Sequence, residues 1–95
     1  MVTIKIPLSW RSACQSQAIV QVSHGSLLQV LQAAVKLHPA LENCLFTPAG
    51  EVHPALNFFI NQEHMRYLGG LQASVQDGDE IYIVPMITGG SQKIA

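Results

Sequence analysis

At 95 residues, 48% of them hydrophobic and 12% charged, the chain has the make-up of one globular domain and is neither a disordered segment nor long enough for a second core. A net charge of −1, with Lys5, Arg11, Lys36, Arg66 and Lys93 scattered rather than clustered, gives no electrostatic footprint for nucleic acid or an anionic membrane. No apolar run approaches the about 20 residues of a membrane span, and "MVTIKIPLSW" lacks the basic start and apolar core of a signal peptide. The expected location is therefore cytoplasmic, with Cys14 and Cys44 as reduced thiols that lack the C-x-x-C spacing of a metal or redox motif.

Val2, Ile4, Ile6 and Leu8 alternate with Thr3, Lys5 and Pro7, the period of a half-buried strand, and Pro7 belongs at its edge or end. A polar stretch from Ser9 to Gln15 leads to a second alternating run, with Ala18, Val20 and Val22 on one face, which suggests a hairpin. "HGSLLQVLQAAVKLHP" reads as the main helix. Ser26 is its N-cap, and Leu27, Leu31, Ala34 and His38 form a stripe beside Leu28 and Val35 until Pro39 stops it. Leu45 and Phe46 are read as a short strand before the turn residues Pro48 and Gly50. "ALNFFIN" is a strand with Leu56, Phe58 and Ile60 on one face and Asn57, Phe59 and Asn61 on the other. "LGGLQASVQDGDE" is expected to be a loop, with Gly69-Gly70 at positive φ and a tight turn at Asp77-Gly78. "IYIVPM" closes the order, with Ile81 and Ile83 inward and Tyr82, Val84 and Met86 outward.

Strand, strand, helix, strand, strand, strand is the order of a two-layer α+β domain and suggests a β-grasp, with a mixed sheet of four to five strands on one main helix. A one-sided sheet normally alternates apolar-in and polar-out, so Phe59, Tyr82, Val84 and Met86 outline an outward apolar patch. Such a patch marks a partner docking surface, or else a face covered by another strand, the tail or a homo-oligomer partner. His24, His38, His53 and His64 have no metal-ligand spacing, and no metal site is expected. Cys14, in a predicted loop, and Cys44, near a strand start, read as inert thiols. Asp77, Asp79 and Glu80 read as a solvated acidic turn or as the counterpart of a basic partner patch. No catalytic constellation is present in the sequence pattern.

The C-terminal half carries a resemblance. "NFFINQEHMRYLGGL" and "DGDEIYIVPMITGG" resemble the MoaD/ThiS family of ubiquitin-like sulfur carriers, and the R-x-L-G-G-L element is more typical of its CysO-like branch. The resemblance spans residues 1–90 and is most specific in 57–90. It implies a β-grasp domain over 1–88, a flexible tail over 89–95, and a C-terminal arm of Thr88, Gly89 and Gly90. It further implies that Gly90 is adenylated and then converted to a thiocarboxylate by an adenylating enzyme of the ubiquitin-activating type. That partner uses ATP; the carrier itself is not an enzyme and binds no cofactor. A sulfur-accepting synthase in molybdopterin, thiamine or cysteine biosynthesis would take the sulfur. Here Gly90 is followed by "SQKIA", which locks its carboxyl in a peptide bond with Ser91. Removal of residues 91–95 by a JAMM-type metallopeptidase, with a cut between Gly90 and Ser91, is the implied processing step. The alternative is a ubiquitin-like interaction domain or protein modifier without sulfur-carrier activity.

Overall fold

The structure, a computed structural model, describes residues 1–85. The expected domain boundary after residue 88 lies outside the described residues. Strand β1 (Val2–Lys5) pairs antiparallel with β2 (Ile19–Val22). A two-residue strand β3 (Gly25–Ser26) leads into helix α1 (Leu27–Leu37), and a short helix α2 (Glu42–Leu45) follows. Next come β4 (Leu56–Ile60), β5 (Glu63–His64), β6 (Ser74–Val75) and β7 (Glu80–Pro85). The main sheet has the order β2-β1-β7-β4-β5, and β3 and β6 form a separate pair. Only the central β1–β7 contact is parallel, so the sheet is mixed, as expected for a β-grasp.

Helix α1 forms because apolar residues recur at helical spacing and its first turn is closed on both sides. Leu27, Val30, Leu31 and Ala34 are buried on one stripe. Ser26 Oγ accepts from the Gln29 backbone N–H at 3.2 Å, and Gln29 Oε1 accepts from the Ser26 N–H at 2.9 Å, a reciprocal capping box. Gly25 belongs to the same arrangement, since a Cβ there would stand 2.7 Å from Gln29 Oε1. The stripe meets the inner face of the sheet at Val2, Ile4, Val20, Phe58 and Ile81, all of them buried. Burial of a side chain such as Phe58 is worth about 1.5–3 kcal/mol, and these contacts set the positions of β1, β2, β4 and β7.

Several local expectations are corrected. β1 ends at Lys5 and does not reach Leu8, because Pro7 (φ −57°, ψ 146°) turns the chain into a 3-10 helix, Leu8–Cys14, with Leu8 at its exposed start. That helix replaces the polar loop expected between the first two strands, and it buries Cys14 completely. Ala18 is exposed although it has the parity of Val20 and Val22, since it precedes the strand at the sheet edge. His38 is not part of the helical stripe but the residue that ends α1, its N–H donating to Ala34 O before Pro39. Leu45 closes α2, and Phe46 forms an isolated bridge with Val52 in place of a strand.

The stretch from Leu68 to Gln76 is more ordered than a loop. Gly70–Gln72 forms a 3-10 turn, and β6 pairs with β3 through Gly25↔Val75 and Ser26↔Ser74. Leu27 N–H donates to Ala73 O at 2.9 Å, which ties this segment to the start of α1 and buries Ala73 and Val75. Gly69 (φ +108°) permits the reversal into it, a conformation that a side chain would strain.

Candidate functional site

The outward face of the sheet is built by alternation on β4 and β7. Ile81 and Ile83 point into the core, which leaves Tyr82 and Val84 outward with 38% and 41% of their surfaces exposed. Phe58 is buried on β4, so Phe59 points out and is half-buried. The register sets Phe59 opposite Tyr82 and Asn57 opposite Val84, so all three predicted apolar residues share one surface. Met86, the fourth residue expected on this patch, lies outside the described residues. Lys5 of β1 stands on the far side of Tyr82, with Ile19 of β2 beyond it.

A cluster that sequence reasoning left unassigned supports this face at its β5 edge. His64 pairs with Phe59, and the two rings meet edge to face with centroids 5.1 Å apart and planes at 73°. His64 Nδ1 accepts from the Arg66 backbone N–H at 3.1 Å and from Arg66 Nε at 3.4 Å. With Nδ1 taken as an acceptor, Nε2 carries the hydrogen and donates to Asn57 Oδ1 at 2.7 Å. Both ring nitrogens are therefore engaged, and His64 acts here as a brace between Asn57, Phe59 and Arg66. The Arg66 guanidinium carbon lies 6.0 Å from the centre of the Tyr67 ring. The sequence signal for this brace was the two-residue turn Asn61-Gln62, which fixes the Phe59↔His64 register.

The acidic turn is mostly taken up by its own hydrogen bonds. Asp79 accepts from Gln76 N–H at 2.9 Å and from Asn61 Nδ2 at 3.1 Å, while Asn61 Oδ1 accepts from Glu80 N–H at 3.0 Å. Tyr82 donates its hydroxyl to Glu80 Oε1 at 2.7 Å, and this bond to the carboxylate raises the pKa of the phenol. Asp77 is held below its usual range by the Met1 ammonium 3.2 Å away, with a smaller contribution from His24. These groups fix the turn before β7 and hence the level at which β7 starts.

Among the described residues, no three His, Cys, Asp or Glu side chains gather as metal ligands, and no helix is long and apolar enough to cross a membrane. The arm Thr88, Gly89 and Gly90, and Ser91 at the expected cut, lie outside the described residues. What leads to them is described: β7 pairs with β1 over Glu80–Tyr82 and with β4 up to Pro85 opposite Leu56.

A protein-family model for the ThiS family matches residues 11–90 and so runs through Gly90. The Sulfur carrier protein CysO of Mycobacterium tuberculosis is 31% identical over 91 residues, which cover 94% of this chain and 98% of that protein. A chain of the BexX/CysO complex of Amycolatopsis orientalis superposes with a TM-score of 0.83 at 29% identity, covering 95% of this chain and all of that one (100%). Small archaeal modifier protein 1 of Methanosarcina acetivorans does so with a TM-score of 0.82 at 28% identity, covering 94% and 95%.

Proposed function

This chain belongs to the ThiS family, and from that membership we propose that it is a sulfur carrier protein of the CysO type whose working end is Gly90. The observation that carries the reading is the family match, which continues through Gly89-Gly90 and stops just before Ser91–Ala95. Near full-length similarity to CysO supports the same reading.

In the proposed cycle a peptidase of the JAMM type first cuts between Gly90 and Ser91, freeing the Gly90 carboxylate. An adenylating enzyme of the ubiquitin-activating type joins this carboxylate to the AMP part of ATP and releases pyrophosphate. The carboxylate is a poor electrophile, whereas the acyl-adenylate has a good leaving group. A sulfide-level sulfur donor then displaces AMP, which leaves a thiocarboxylate on Gly90. A sulfur-accepting synthase takes this sulfur, and the resemblance to CysO favours a product in cysteine biosynthesis. Two glycines without side chains suit an arm that must approach a nucleotide closely.

The body's part in the cycle is recognition. Phe59, Tyr82 and Val84 form the surface proposed to dock on the adenylating enzyme, and Met86, outside the described residues, is assigned to it from the sequence alone. The BexX/CysO complex from Amycolatopsis is a solved assembly of a similar protein, and it supports docking of the body on a protein partner.

Intact-mass measurement of the protein from its own cells tests the reading. The expected species lacks Ser91–Ala95 and carries sulfur in place of one oxygen at Gly90. Full-length protein alone under sulfur demand, with Gly90 still joined to Ser91, would sink it.

A further inference from the structure

The two edges of the main sheet are not alike. β5 is two residues long and carries Glu63, the kind of short, charged edge that discourages pairing. β2 is four residues long, Ile-Val-Gln-Val, with no charge, proline or bulge, and among the described residues β1 is its one sheet neighbour. Ile6 N–H donates to Ala18 O at 2.8 Å, which makes Ile6 and Ala18 a hydrogen-bonded pair. Antiparallel ladders alternate, so Val20 and Val22 also turn their backbone groups toward β1. The N–H and C=O of Ile19 and Gln21 therefore point away from the sheet, and among the described residues no group pairs with them.

Apolar surface flanks these groups on both sides. Ile19 is 43% exposed on the outer face, and Leu37, at the end of α1, is 58% exposed beside a groove that Val20 and His38 also line. A strand that docks here would satisfy the free backbone groups and cover both side chains.

We infer that this edge pairs with the β2 edge of a second copy of the same chain, antiparallel about a twofold axis at Val20. Charge selects the occupant. Near a twofold axis every group lies close to its own copy, directly opposite it on the axis and diagonal to it one residue away, so a charge there repels itself. No charged residue occurs from Ser12 to Ser23, and the edge is thus neutral where self-pairing requires it. Ile19 of each copy then sits opposite Gln21 of the other in two hydrogen-bonded pairs, about four bonds in all. The two five-stranded sheets become continuous. The outward patch of Tyr82 and Val84 lies two strands away and stays open, so this inference does not rest on the sulfur-carrier reading.

One strand edge buries less than the about 800 Å² per partner of a standard interface, so the dimer is weak and reversible. Sedimentation of the full chain should show dimerisation with a Kd between ~1 µM and ~1 mM. Over the same range, amide exchange should show Ile19 and Gln21 gaining protection as concentration rises, while Val20 is protected throughout. Gln21→Pro removes an outward N–H that β1 does not use, and Ile19→Lys places like charges diagonally across the axis. Each should yield folded monomer, whereas Val84→Asp should still dimerise. The inference is overturned by a wild-type monomer up to millimolar concentration, or by a dimer that survives both edge variants. Protection of Ile19 and Gln21 that does not depend on concentration would overturn it too, because the chain would then be covering its own edge.

Discussion

Phe59 of β4 stands directly opposite Tyr82 of β7 on the outward face, and His64 holds the Phe59 ring from the other side. The Phe59–Tyr82 pair joins the strand that ends in the His64 hairpin to the strand that ends toward Gly90. A partner that recognises the pair therefore contacts β7 itself, the strand from which the chain continues toward Gly90.

Val84→Asp should weaken binding to the proposed adenylating enzyme at least tenfold, about 1.4 kcal/mol, with the melting temperature almost unchanged. Val84 is 41% exposed, and substitutions at exposed positions usually fall within about 0.5 kcal/mol. Titration of the enzyme with each variant, beside a thermal melt, checks both parts. His64→Ala should show a smaller binding loss, since it removes only the brace behind Phe59. Unfolding of Val84→Asp would place that side chain in the core and refute the face assignment.

Ser26→Ala should lower unfolding free energy by about 1 kcal/mol, because the Gln29 N–H loses its acceptor at the start of α1. Gln29→Ala should cost less, and the double variant should fall short of the sum, since the two side chains form one reciprocal unit. Urea denaturation of the three variants measures this. Additive losses would show that the two bonds act independently.

The thiols should be unreactive in the folded chain. Burial pushes the Cys14 pKa up, with a further rise from the Cys44 charge, and burial also raises that of Cys44. At pH 7 an aromatic disulfide reagent should modify Cys44 slowly and Cys14 only at the rate of global unfolding. Rates should climb with pH only above the ordinary thiol range, because the thiolate forms there. Rapid titration of both thiols at neutral pH would contradict the burial of Cys14.

The sequence made legible those features that repeat with a simple period. Alternation gave the inner and outer residues of β4 and β7, and the Ser26 cap with helical spacing gave α1. Side-chain period could not show pairings between short segments far apart in sequence. β3 and β6 are two residues each, and they exist because Ala73 and Val75 are buried beside the start of α1. Cys14 was misplaced for a related reason: Pro7 ends the ladder, and the polar letters that follow hide a 3-10 helix with a buried side. His64 was visible, but its role depends on Asn57 and Arg66 meeting it through the β4–β5 register.

β7 comes last among the described strands yet occupies the middle of the sheet. A chain made from its N-terminus holds the β1–β2 and β4–β5 pairs before it has the strand that unites them. Any product interrupted before residue 80 is left with two hairpins and no shared neighbour, exposed to aggregation and proteolysis. The order of synthesis thereby makes the sheet complete only once its last described strand, the one that leads toward Gly90, has been made.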